Sequence, residues 1–147
     1  MDLVFSLAWQ KGPLRRAFKS DAAHALFLDY VERTGRLSPC RVTPIDGPGK
    51  AAEKVVVCHP SRPAKSISSE QLAELLEKWR DTGVRQTRVA VGPPDGFSEE
   101  DLQRLKPDFI WSFGPLTLPH ELAAVVAAEQ VYRAFTIVRG MPYHLGH

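Results

Sequence analysis

Strand and helix alternate along the whole chain, which predicts an α/β fold with a mostly parallel sheet. Two patterns carry the prediction. Short apolar runs of strand length recur between segments whose apolar residues fall three and four apart, the helical spacing. Three segments rich in Gly and Pro, residues 59–66, 92–96 and 114–119, follow strands directly, and in parallel sheets ligands sit beyond the carboxyl ends of the strands. With 147 residues, against roughly 150 per domain, one domain over residues 1–147 is expected.

Residues 3–9 form an apolar run of strand length, broken by Lys11-Gly12-Pro13, with Pro13 suited to the first turn of a helix. From Leu14 the apolar residues Phe18, Ala22, Leu26 and Tyr30 recur every fourth position, so a helix is expected to about residue 33, with Gly35 near its end. Residues 41–45 read as a strand, Gly47-Pro48-Gly49 as a turn, and 54–58, with Val55-Val56-Val57, as a central strand. Ser68 and Gln71 have capping-box spacing, and Leu72, Leu75, Leu76 and Trp79 then define one helical face that Thr82-Gly83 ends. Residues 87–91 form a strand, 92–96 a tight loop, and Ser98 with Asp101 caps another helix. A strand over 109–113 and a long helix over 118–135 complete the chain, the helix placing Leu122, Val125, Val126, Glu129, Tyr132 and Arg133 on neighbouring positions. Trp9, Trp79 and Trp111 each lie in an apolar pattern and are expected in the core.

Composition narrows the classes of function. Hydrophobic residues are 44% and charged residues 24%, a globular balance that excludes collagen, coiled coil and disorder. No run approaches the roughly 18 uncharged apolar residues of a membrane helix, and Asp2, Lys11, Arg15, Arg16 and Lys19 leave no signal-peptide core. A soluble, unexported chain without a membrane partner is expected. Cys40 and Cys58 stand in no CxxC spacing, which fits a reduced cytoplasm. GxGxxG, GxxxxGK[ST] and GxSxG are absent, removing the main support for dinucleotide, NTP and serine-hydrolase chemistry. His144 and His147 are three apart but have no Cys, Asp or Glu nearby in sequence, so no metal is expected.

Two features are candidates for binding. The segment from Phe113 to His120 is apolar and stiffened by Pro115 and Pro119. It either presents fixed backbone groups to a small ligand between Leu116 and Leu118, or simply joins strand to helix with Thr117 as N-cap. Lys11, Arg15, Arg16 and Lys19 cluster without an acid, and after Glu129 the chain carries Arg133, Arg139, His144 and His147 but no Asp or Glu. Either cluster is a candidate for phosphate-backbone contact or a solvated face.

The C-terminal third carries more specific strings: Gly114-Pro115-Leu116-Thr117-Leu118-Pro119-His120-Glu121-Leu122, then Glu129-Gln130-Val131-Tyr132-Arg133-Ala134, then Pro142-Tyr143-His144. In this order and spacing they resemble the bacterial ribosomal RNA large-subunit pseudouridine N3-methyltransferases of the SPOUT superfamily. The match is firm over residues 68–144; residues 1–67 agree in length and element order. The resemblance implies a SPOUT-type parallel sheet whose C-terminal chain threads a trefoil knot, a cytoplasmic homodimer, and S-adenosylmethionine as cofactor. It implies 23S ribosomal RNA on the assembled ribosome as partner, with N3 of a pseudouridine as the methylated atom. By the match, Gly92, Pro93, Gly96, Gly114, Pro115, Leu116, Thr117, Leu118 and Pro119 hold the cofactor and Pro60 closes the pocket. Arg133, Tyr143 and His144 fall at positions linked to catalysis or substrate placement: His144 as base, Arg133 as clamp for a phosphate or oxyanion, Tyr143 to stack or donate. The apolar helix over 122–132 needs cover, a further reason to expect a dimer.

Several positions depart from the family pattern. Pro93 replaces the second glycine of a pair and has no N–H to offer. Ala124 and Leu145 stand where cations are usual, Ser61 and Ala64 match the loop after the third strand poorly, and residues 44–54 lack a helix the family places there. These departures keep open an alternative, a catalytically degenerate SPOUT-fold protein that binds ribosomes or RNA.

Overall fold

The computed structural model describes residues 1–60 and 65–145. Five strands, β1 (Asp2–Leu7), β2 (Cys40–Val42), β3 (Glu53–Cys58), β4 (Gln86–Val91) and β5 (Phe109–Trp111), form one sheet in the order β2-β1-β4-β3-β5. Every pairing is parallel, with Phe5 opposite Val89 and Val89 opposite Val56. The alternation of strand and helix therefore gives the parallel α/β architecture expected from it. β3 is an interior strand, although the central place belongs to β4.

Helices α1 (Asp21–Gly35), α2 (Ser69–Asp81) and α4 (His120–Val138) cover one face, and α3 (Glu99–Leu105) the other. Leu3, Phe5, Leu7, Val56, Val89 and Val91 point into the larger core with Phe27, Leu72, Leu76, Trp79 and Val131. Val55, Val57 and Ala90, one residue out of phase, meet Phe97 and Leu105 on the α3 face. α2 and α3 both start with the capping boxes their sequences specify, Ser68 with Gln71 and Ser98 with Asp101.

The first helix differs from its expectation. Residues 14–17 make only a 3-10 turn, Phe18 is extended and buried, and α1 starts after Ser20, whose Oγ accepts the Ala23 N–H at 3.1 Å. A serine cap followed by Asp21 is a better helix start than Pro13, because it satisfies a free N–H and places an acid in the first turn. The buried face is correspondingly Phe27, Val31 and Thr34, while Leu26 is 44% exposed. Phe27 stacks edge-on against Phe5 with ring centroids 5.7 Å apart, and that tertiary contact sets the rotation of the helix.

Smaller differences fall at element ends. β1 stops at Leu7, so Trp9 leaves the strand and is half-buried, whereas Trp79 and Trp111 are buried in the core. β2 and β5 are three residues each, shorter than their apolar runs. α4 begins at His120 with Pro119 at the cap, not with Thr117. It is buried along Ala124, Val125, Ala127, Ala128, Val131, Tyr132, Ala134 and Phe135 within this one chain, so its apolar length is not what calls for a partner. No helix among the described residues is long and apolar enough to cross a membrane.

Glu121 ties α4 to the start of α1. Its carboxylate accepts the backbone N–H of Ser20 at 3.0 Å and of Lys19 at 3.2 Å. Burial alone raises its pKa, but those two donors, with the charges of His120 and Lys19, outweigh burial and hold it below the ordinary carboxylate value. A group with a lowered folded pKa stabilises the fold fully above its unfolded value, about 4.3, and loses that contribution as pH falls through the folded value. Glu121→Gln is expected to cost about 1 kcal/mol at neutral pH in urea denaturation. The wild-type advantage over that variant should shrink on acidification below about pH 4.

Candidate functional site

β3 and β4 send their chains to opposite faces, β3 through α2 and β4 through α3, so a crevice opens between their carboxyl ends. A cavity of about 280 Å³ occupies it. Of the residues expected at a cofactor site, Pro60, Gly92, Pro93, Gly96, Gly114, Leu116, Thr117 and Leu118 line this cavity; Pro115 and Pro119 do not. Trp111, Phe113 and Ala123 add apolar wall, and His59, Asp95 and His120 add polar groups that sequence reasoning missed. His59 and Asp95 fall within the segments 59–66 and 92–96 and His120 ends the segment from Phe113, so the sequence marked their places without singling out their side chains. Ser61 and Ala64, and His147 of the tail, lie outside the described residues.

Backbone geometry shapes the cavity. Gly96 and Gly114 have φ of +79° and +98°, a region that L side chains rarely occupy. A Cβ on Gly92 would meet both Cδ2 and N of Phe97 at 3.2 Å, so a side chain there would require Phe97 to shift by a few tenths of an ångström. Pro93 contributes its carbonyl, which accepts the Gly96 N–H at 2.7 Å. Among the described residues the backbone N–H groups of Leu116, Thr117 and Leu118 make no hydrogen bond and are free for a ligand. His59 Nε2 donates to the Phe97 carbonyl at 3.2 Å. Cys58 also lines the cavity, but burial pushes its thiol pKa up, so it is neutral there and not an activated nucleophile.

Arg133, Tyr143 and His144 come together, but elsewhere. The rise of α4 from Ala123, which lines the cavity, to Arg133 is about 15 Å. Glu129, one turn before Arg133, joins the three. Its Oε1 accepts Arg133 Nη2 at 2.6 Å, Arg133 Nε at 2.9 Å and the Tyr143 hydroxyl at 3.1 Å. Tyr30 from α1 reaches the Tyr143 hydroxyl at 3.3 Å, and the Arg133 guanidinium lies 4.9 Å from the centre of the Tyr143 ring. Arg133 Nη1 is 3.0 Å from His144 Nδ1, and His144 Nε2 faces Glu70 at the start of α2. A guanidinium can only donate, so Nδ1 is the unprotonated nitrogen and Nε2 carries the proton toward Glu70.

The electrostatics follow from these contacts. Burial works against the charge of Arg133, but the bonds to Glu129 outweigh it and raise its pKa. Burial, the Tyr30 bond and the Glu129 charge push Tyr143 up, so it remains a phenol and a donor. Glu70 is held below its ordinary value by its own backbone N–H and then by His144. Ala124 is completely buried, so position 124 offers no surface for a cation, whereas Leu145 is 84% exposed. Among the described residues no group of three His, Cys, Asp or Glu could hold a metal.

The conformational requirement at the cavity is directly testable. Gly114→Ala should lower the unfolding free energy by about 1–2 kcal/mol, because alanine resists the left-handed region. Gly12→Ala, with nothing within 4 Å and no positive φ, should leave it unchanged in the same urea titrations.

Residues 48–144 match the family model described as "Predicted SPOUT methyltransferase". The ribosomal RNA large subunit methyltransferase H of Koribacter versatilis is 44% identical over 102 residues, 69% of this chain and 67% of that protein. The protein of the same name from Ruegeria pomeroyi is 36% identical over 134 residues, 80% of this chain and 85% of its own length. In other relatives of that name the chain spans about half of the relative's length. Among solved structures, the putative methyltransferase Lpg2936 from Legionella pneumophila, in complex with SAM, is similar at 20% identity and a TM-score of 0.48, covering 91% of this chain and 66% of that one. The breadth of the family match and the length of the shared sequence establish that the chain belongs to the SPOUT methyltransferase family, alongside the ribosomal RNA large subunit methyltransferases H.

Proposed function

We propose that the chain is an S-adenosylmethionine-dependent methyltransferase acting on N3 of a pseudouridine in 23S ribosomal RNA, as a homodimer in the cytoplasm. The observation that carries the reading is the cavity at the carboxyl ends of β3, β4 and β5. Its chemistry fits the cofactor: free N–H groups on residues 116–118 suit the polar edge of an adenine, Leu116, Leu118 and Trp111 its faces, and Asp95 a hydroxylated or cationic portion. When bound, the cofactor supplies an electrophilic methyl on a sulfonium. Support for a C-terminal trefoil knot lies in the match to the SPOUT methyltransferase family over residues 48–144.

Arg133, Tyr143 and His144 bind and position the nucleotide in this reading. N3 gains the methyl and loses its proton, and a neutral imidazole is the group suited to accept that proton. His144 takes it at Nδ1 when the nucleotide displaces Arg133 from that nitrogen. Arg133 then faces the negative charge that builds up on the uracil ring, while Glu129 keeps the guanidinium in place. Tyr143 stays protonated and donates.

About 15 Å of helix separates these groups from the cavity within one chain, so a second subunit has to bring the two halves together. Leu26 at 44%, Leu122 at 45% and Leu145 at 84% exposure leave apolar surface for that contact. A second reading, an RNA-binding module without turnover, draws on Pro93, which lines the cavity without an N–H.

Calorimetric titration with S-adenosylmethionine and S-adenosylhomocysteine separates the two readings. Micromolar binding is the expected result; no binding at millimolar cofactor would favour the module. Arg133→Ala and His144→Ala should each lower ribosome methylation by roughly 10²-fold or more with cofactor affinity intact. Mixing subunits of Arg133→Ala with Thr117→Trp, which fills the cavity, should restore about a quarter of wild-type activity, since half the dimers then hold one intact site. An inactive mixture with demonstrated subunit exchange would sink the shared site.

A further inference from the structure

We infer that the basic loop between β1 and α1, residues 11–19, is the surface on which the RNA sugar-phosphate backbone docks beside the cavity, an inference that rests on the reading of RNA as substrate. Three observations carry it. The loop borders the cavity: the Trp9 ring stands edge-on to His120 with centroids 4.5 Å apart, and His120 lines the cavity. Its charge is available: Lys11, Arg16 and Lys19 are exposed and form no ion pair among the described residues. Arg15 is already paired with Asp21, and Glu121, the other acid here, is occupied by the N–H groups of Lys19 and Ser20.

The third observation is rigidity. Trp9 Nε1 donates to the Ala17 carbonyl at 2.6 Å and Gln10 Nε2 to the Gly12 carbonyl at 3.0 Å. Phe18 is buried against Phe27, with ring centroids 5.5 Å apart, and Glu121 holds the backbone where α1 begins. The side chains of Lys11, Arg16 and Lys19 thus project from a fixed backbone, so only their own rotamers are ordered on binding. Exposed cations on a rigid ridge match a polyanion with regularly spaced charges. Contacts from these cations to phosphates carry no sequence information. The loop positions the strand, and the choice of nucleotide is left to the cavity and the Arg133 cluster.

The experiment uses the full chain with Lys11, Arg16 and Lys19 changed together to Gln, and a control in which Lys50, Lys78 and Arg104, all distant from this loop in sequence, are changed to Gln. Binding of a fluorescent 23S stem-loop is followed by anisotropy across salt concentrations, together with methylation of ribosomes. The loop variant should bind the stem-loop about tenfold or more weakly, and its slope of log affinity against log salt should fall by roughly 2, as for three lost phosphate contacts. KM for ribosomes should rise, with kcat and cofactor affinity unchanged and the control close to wild type. Equal losses in both triple variants would assign the effect to net charge and overturn the inference. So would wild-type protein that binds no RNA, or a loop variant that binds as tightly as wild type. Wild-type protein that binds RNA through the loop but methylates none would instead sink the proposed reaction and leave the docking surface standing.

Discussion

The close approach of α4 to its neighbours is the constraint on which both the cavity and the polar cluster depend. Ala124, Ala127, Ala128 and Ala134 are completely buried, and their small side chains let one 19-residue helix seat against both α1 and α2. The first turn of that helix gives His120 and Ala123 to the cavity, and the third and fourth give Glu129 and Arg133 to the polar cluster. A larger residue at any of these alanines would push α4 outward and move both sets of groups together. The two regions are far apart, yet one packing decision fixes their separation.

Within the polar cluster the order of donors is determined by the one residue that cannot change its role. Arg133 donates to Glu129 and to His144 Nδ1, and this sets the imidazole proton on Nε2, facing Glu70. Tyr143 donates to Glu129, so Tyr30 donates to Tyr143. Groups from α1, α2, α4 and the C-terminal segment are thereby held in one network, in which each partner limits the rotamers of the next. The result is a set of side chains whose orientations are fixed by one another.

Much of this was legible in the sequence, for local physical reasons. Capping boxes at Ser68 and Ser98 marked two helix starts because cap chemistry lies within four residues. The Gly- and Pro-rich segments marked the cavity because loops after parallel strands converge there. The rotation of α1 was not legible, because Ala22 and Leu26 make as good a stripe as Ala23, Phe27 and Val31, and only Phe5 on another strand decides between them. The partners of the Arg133 cluster divide in the same way. Glu129 is four residues from Arg133 on one helix and falls within a helical rule, but Tyr30 and Glu70 arrive from distant segments and carry no local signal.

The short connection between β2 and β3 shows how the sheet adapts when a covering helix is missing. No helix occupies residues 43–52, and that half of the α3 face carries a buried ion pair beside Val4 and Val55. Arg88, on the central strand, is only 6% exposed; it pairs with Glu53 at 3.3 Å and donates to the Gly47 carbonyl at 3.2 Å. Beside it is a polar cavity of about 610 Å³, bordered by Arg41, Asp46, Lys50 and Arg85. Val4 and Val55, beside Arg88 on the same face, are 1% and 0% exposed, so the ion pair is buried among apolar neighbours. The register that places Arg88 opposite Val4 and Val55 also places Val89 and Val91 in the opposite core, so one strand carries an ion pair on one face and only apolar packing on the other. The residues that build the cavity, Gly92 onward, continue directly from that strand, so the packing of both its faces fixes where the cavity opens.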